Sequence, residues 1–155
     1  MPIVKRGTTA GTSLLELVVV VAVATIMTGM AVPVTVNAMR SYRLTAAVSA
    51  ATGAIQSTRY AAIMHGYPYQ ITFTPATDSY QIYDEPGGQS TYSAVGTPIP
   101  ISRPGDVTIS QSVTYQFSPG GTVTPSNMSF SITNDFGGSS TITVSGVGNV
   151  SVSTP

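Results

Sequence analysis

From Leu14 to Val36 the chain reads LLELVVVVAVATIMTGMAVPVTV, apolar at nearly every position. No other feature restricts the possible folds so strongly. A helix of roughly 20 residues, at about 1.5 Å per residue, crosses a hydrocarbon layer of about 30 Å. Lys5 and Arg6 precede the run, Arg40 is the next basic residue, and Glu16 is the only charge between them. The positive-inside bias therefore predicts a cytoplasmic N-terminus, with everything beyond about Arg40 on the other side of the membrane. Arg40 and Arg43 pull weakly the other way. A secretory signal peptide shares the basic start, but its apolar core is roughly 7–15 residues long, and this run is longer and carries a carboxylate near its start.

At 155 residues, the chain has room for one modest core plus one long accessory element. Only 8% of residues are charged and the formal net charge is zero, so no basic footprint points to nucleic acid. Cysteine is absent, which excludes disulfides, thiolate metal sites and thiol catalysis. One histidine, and no carboxylate pair at motif spacing, argue against an enzyme. No cofactor is expected. Asp84 and Glu85 are adjacent, but the following Pro-Gly-Gly reads as a turn with too few oxygen ligands for a strong calcium site.

Glu16 requires an explanation, because a carboxylate within a bilayer costs roughly 3 kcal/mol unless it finds a partner. An interfacial residue that snorkels at a helix end is one answer. The sequence around it, Gly11-Thr12-Ser13-Leu14-Leu15-Glu16-Leu17, suggests another, since it resembles the class III signal of type IV prepilins. In that family a short basic leader ends in Gly, and a Glu stands fifth after the cut. The resemblance implies cleavage by a prepilin peptidase between Gly11 and Thr12, with Glu16 free to neutralise the new Thr12 amine in its own or a neighbouring subunit. It also implies N-methylation of Thr12, although the family favours Phe where Thr12 stands. Gly7 does not satisfy the pattern, because Thr12 is fifth after it.

Pro33, with Gly29 nearby, marks the expected helix kink, either an ordinary bend within a span or the partial unwinding seen in similar pilin helices. Beyond it, Leu44, Val48, Ala51, Ile55, Thr58 and Ala62 recur in steps of four and three and predict one buried helical stripe. Gly53 is expected to mark a close approach or a bend. Arg40, Arg43 and Arg59 fit a solvated face or a contact to another subunit, and the Gly66-Tyr67-Pro68 stop ends the helix by Gly66. His65, at the helix end, has no metal-ligating company.

From Tyr67 the apolar period becomes two. Residues 69–74 and 80–84 predict a hairpin, and 107–117, 128–133, 140–145 and 149–153 predict further strands of one antiparallel sheet on the helix. The Gly- and Pro-rich segment 85–104 reads as a surface loop.

The expected fold is therefore α+β, a long N-terminal helix packed on an antiparallel β head, with segments 1–11 (leader), 12–36 (membrane and assembly helix), 37–66 (amphipathic helix) and 67–155 (head). Residues RYAAIMHGYPYQITF (59–73), FSPGG (117–121) and SGVGNVSV (145–152) resemble the GspH/FimT branch of the pilin superfamily. That resemblance implies a structural minor pseudopilin of a type II secretion system in the inner membrane. Its partners would be other pilin or pseudopilin subunits, the prepilin peptidase and the inner-membrane assembly platform. A minor or major type IV pilus subunit, or a membrane-anchored extracytoplasmic binding domain, are the alternatives. Binding to DNA is not expected, since Arg103 is the only basic residue after the helix, against Asp78, Asp84, Glu85, Asp106 and Asp135.

Replacing Gly11 with a bulkier residue is expected to leave uncut precursor in the membrane. Mass spectrometry of the membrane fraction checks this, and a normal processed mass would place the cut elsewhere.

Overall fold

A computed structural model of the chain describes residues 13–88 and 91–154, with the side chains of 30–34 outside that description. The expected leader and the Gly11–Thr12 cut lie outside the described residues. Among the described residues one α-helix, α1 (Leu14–His65), is followed by nine strands: β1 (Tyr69–Thr74), β2 (Ser79–Asp84), β3 (Ser93–Pro100), β4 (Thr108–Ile109), β5 (Val113–Phe117), β6 (Val123–Thr124), β7 (Met128–Thr133), β8 (Ser139–Val144) and β9 (Val150–Ser153). The chain divides into two units, one ending at Ala38 and one beginning at Met39.

In the second unit the predicted stripe is buried: Leu44, Val48, Ala51, Ile55, Thr58 and Ala62 all join the core, with Ala47 and Ala54 beside them. Alanine fills four of these eight positions, alternating with larger side chains that reach the sheets. The Thr58 hydroxyl, buried among apolar groups, donates to the Ala54 carbonyl at 2.7 Å, which removes the cost of an unpaired polar group. The helix stops at His65, and Gly66 follows in the left-handed region (φ 74°).

The head contains two sheets where the sequence predicts one. The first has the order β3-β2-β1-β5-β6 and the second β4-β7-β8-β9. All their pairings are antiparallel. Tyr69, Ile71 and Phe73 of β1 and Val113, Tyr115 and Phe117 of β5 are buried, as are Phe130, Ile132, Ile142 and Val144 of the second sheet. Phe73 and Phe130 meet between the sheets with ring centroids 4.7 Å apart. The outward positions carry hydroxyl ladders instead of charges: Thr72 with Thr114 at 3.0 Å, Thr108 with Thr133 at 2.9 Å and Ser131 with Thr141 at 2.9 Å. These pairs account for a polar composition rich in Ser and Thr.

Two strand expectations are corrected. The stretch 107–117 is not one strand, because the chain changes sheets within it, β4 pairing with β7 and β5 with β1. Its corner serines tie to opposite sheets: Ser110 Oγ accepts from the Ser131 amide at 2.9 Å, and Ser112 Oγ donates to the Phe73 carbonyl at 3.2 Å. The segment 85–104 is not all loop, since β3 within it forms the outer edge of the first sheet, where Pro98 and Pro100 are tolerated. Every residue of β3 is exposed, so the strand shows no inside–outside alternation. At the irregular register between β2 and β3, the Gln81 amide donates to the carbonyls of Ile82 (2.9 Å) and Val95 (3.2 Å). Of the two expectations for Gly53, a close approach or a bend, the first is not met, because nothing among the described residues lies within 4 Å of the position its Cβ would take.

Arg59 is not simply a solvated side chain. Its Nε donates to the Gly121 carbonyl at 3.0 Å. A Cβ on Gly148 would lie 2.4 Å from the same nitrogen. The guanidinium thus lies between the β5–β6 turn and the β8–β9 turn, one from each sheet, and the turn glycines leave room for it. Alanine at Gly148 combines a φ of +77° with that collision, whereas alanine at Gly105 meets a similar φ of +80° with nothing nearby.

Gly148→Ala is therefore expected to lower the melting temperature more than Gly105→Ala. Adding Arg59→Ala should recover part of the excess in a double-mutant cycle, and equal losses at the two glycines would remove the role assigned to Arg59.

Tyr115 is fully buried, and its hydroxyl donates to the Met128 carbonyl at 2.9 Å, across from the first sheet to the second. Burial raises its pKa to about 12, and burial together with the Tyr67 hydroxyl raises that of Tyr69 to about 12. Since a tyrosine in the unfolded chain titrates near 10, the unfolded state loses protons first as pH rises. The stabilisation is thus complete below about pH 10 and is lost between about pH 10 and about pH 12. Tyr115→Phe is expected to cost about 1 kcal/mol at neutral pH and to flatten this alkaline loss in denaturant titrations, leaving the share due to Tyr69.

Candidate assembly surface

In the first unit, α1 opens with the Leu17 amide bonded to the Ser13 carbonyl at 3.1 Å, and Glu16 lies in the first turn. A carboxylate there is favourably placed at the positive end of the helix dipole. Among the described residues Glu16 has no hydrogen-bonded or ionic partner. Around it the apolar side chains are open on every side: Leu14 is 80% exposed, Leu15 74% and Leu17 60%, and Val18, Val19, Val20 and Val21 are each more than half exposed. A helix apolar all round, rather than along one stripe, is one that other apolar matter must cover.

The two threonine hydroxyls in this stretch are already satisfied. Thr25 Oγ1 donates to the Val21 carbonyl and Thr28 Oγ1 to the Ala24 carbonyl, each at 2.8 Å. Neither hydroxyl needs water, so the surface can enter an apolar environment at little cost. Ala24, Thr25, Thr28 and Gly29 keep one side of the helix shallow. Gly29 and Pro33 both lie within the helical assignment of α1. Proline has no N–H, so the Gly29 carbonyl lacks its usual donor four residues on. Among the described residues no helix is long and apolar enough to cross a membrane. The described apolar side chains, 14–29, span about 24 Å of helix, short of a hydrocarbon layer.

In the second unit, two further arginines, which the sequence leaves on a solvated face or in contact with another subunit, make contacts within the head. Arg43 Nη1 donates to Asp106 Oδ1 at 2.6 Å. The Arg40 guanidinium lies over the Phe136 ring, 3.3 Å from its centroid. The turn carrying Phe136 is held by Asn134 Oδ1, which accepts from the amides of Phe136 (3.2 Å) and Gly138 (2.8 Å). These partners lie 63 and 96 residues away in sequence, so no local motif announces them. Beside Arg43 is a groove of about 310 Å³, bordered by Met39, Tyr42, Ala46, Ile101 and Arg103. Among the described residues no group of three or more His, Cys, Asp or Glu side chains is placed to hold a metal.

The sequence profile described as Type II transport protein GspH matches residues 47–148. The head resembles, in fold, two crystal forms of the type IV minor pilin FimU of Pseudomonas aeruginosa, each at 16% identity. The first gives a TM-score of 0.56 and covers 76% of this chain and 95% of that one. The second gives 0.50, over 72% and 95%. No curated protein sequence matches the chain.

Proposed function

Because the chain belongs to the GspH family of type II transport proteins, we propose that it is a structural minor pseudopilin, cut between Gly11 and Thr12 and polymerised through the N-terminal half of α1. The observation that carries this reading is the all-round apolar helical surface ahead of a head that has its own core. Among the described residues Leu44 is the first buried one of α1, and from Leu14 to Val23 the large apolar side chains are at least half exposed.

Over its full length the run Leu14–Val36 reaches about 34 Å, enough to hold the subunit in the inner membrane before assembly, with the head in the periplasm. In the filament the same surface packs against the helices of other pilin or pseudopilin subunits, where the shallow side at Ala24, Thr25, Thr28 and Gly29 admits a neighbouring backbone. Gly29 and Pro33 provide the place where the helix bends or opens during that packing. Cleavage creates the Thr12 amine, the cation that Glu16 neutralises, and the pair fixes the axial register of one subunit against the next. The prepilin peptidase, which also methylates Thr12 in this reading, and the inner-membrane assembly platform are the remaining partners.

A subunit of a type IV pilus is the second reading, favoured by the fold shared with a protein named as a type IV minor pilin. The chemistry assigned to α1 is the same in both. A deletion strain that loses secretion of exoproteins supports the first, and one that loses surface pili with secretion intact supports the second.

Glu16→Ala is expected to leave insertion and cleavage intact while lowering recovery in sheared filaments by about tenfold, and Glu16→Asp should restore part of it. Immunoblots of the sheared and membrane fractions check this. Wild-type recovery of the alanine variant would show that Glu16 has no part in assembly.

A further inference from the structure

Assembly through the N-terminal half of α1 leaves the groove at the start of the head unit without a role. One wall is helix, Met39, Tyr42 and Arg43; the other is the 101–106 segment, with Ile101, Arg103 and Asp106. The lining is apolar and the rim is charged. Arg43 is committed to Asp106 at 2.6 Å, so one carboxylate offsets one guanidinium. Arg103 is exposed, and its guanidinium has no hydrogen-bonded or ionic partner among the described residues. The groove therefore carries one uncompensated positive charge, on a head unit whose four arginines face five carboxylates.

Its distance from the apolar run identifies an occupant. Met39 to Arg43 lie three to seven residues beyond Val36, about 5–10 Å along a helix. The polar layer flanking a hydrocarbon core is of similar depth, about 5–8 Å on each side. Tyr42 is 72% exposed, an amphipathic side chain of the kind that anchors a helix at that depth, and the apolar Met39 beside it is 52% exposed. An anion that also presents carbon to the apolar wall fits this lining better than a fully hydrated ion does.

We propose that this groove binds the phosphate of an anionic phospholipid in the leaflet from which the helix emerges. Arg103, with Arg43, takes the phosphate oxygens, while Met39, Tyr42 and Ile101 contact the glycerol and the first methylenes. Asp106 competes with the phosphate for Arg43 and limits the affinity. The proposal rests on the reading of residues 14–36 as a membrane helix.

The test uses the full chain in zwitterionic micelles, titrated with dihexanoyl-phosphatidylglycerol and followed by the amide resonances of 39–47 and 101–106. Saturable shifts are expected, weakened about fivefold in Arg103→Gln, the equivalent of about 1 kcal/mol per basic residue, and strengthened in Asp106→Asn. The proposal is overturned if these amides do not move, or if dihexanoyl-phosphatidylcholine or inorganic phosphate saturates them equally. Shifts that follow protein concentration without lipid overturn it too, and make the face an interface between copies. Flotation with phosphatidylcholine vesicles separates the two readings. A chain that fails to float loses the membrane helix and the headgroup site together, whereas one that floats while phosphatidylglycerol leaves the groove unmoved loses the headgroup site alone.

Discussion

The head depends on the burial of one helical stripe, Leu44 to Ala62, beneath two sheets. Side chains of the stripe and of both sheets form one core, and the Phe73–Phe130 contact joins one sheet to the other within it. Arg59 adds a polar fastening on the same helix, reaching the turns that end β5 and β8. In the first unit the apolar residues from Leu14 to Met27 are exposed, a surface open to other apolar matter.

The helix was the most legible part of the sequence because its signals are local. Period, stop residue and stripe each lie within a few turns, and the stripe was correct residue by residue. The hairpin of β1 and β2 was legible for the same reason. The arrangement into two sheets was not, because alternation resumes with the same period after the polar Ser110-Gln111-Ser112, where the chain crosses from one sheet to the other. Periodicity reports which face is buried and says nothing about which sheet buries it. β3 was missed for a different reason. An edge strand that buries no side chain can carry Gly96, Pro98 and Pro100 and look like a loop.

The candidate site divides in the same way. The pattern from Gly11 to Leu17 is contiguous and readable, although Gly11 and Thr12 themselves lie outside the described residues. Arg40, Arg43 and Arg59 were visible only as charges on a helix, since each finds its partner 60 or more residues away. With Arg43 tied to Asp106, Arg59 to the Gly121 carbonyl and Arg40 over the Phe136 ring, the head has fewer free cations than its sequence suggests, and Arg103 stands out.

The central claim is that other subunits cover the apolar half of α1 in an assembled filament. The absence of cysteine makes a direct measurement possible, because single cysteines can be introduced into a silent background. Cysteine at Val20 and, separately, at Val147 on the head, 68% exposed, would be reacted with a membrane-impermeant maleimide in sheared filaments. The account predicts rapid labelling at 147 and none at 20 until the filaments are denatured. Labelling at 20 as fast as at 147 in intact filaments would contradict it.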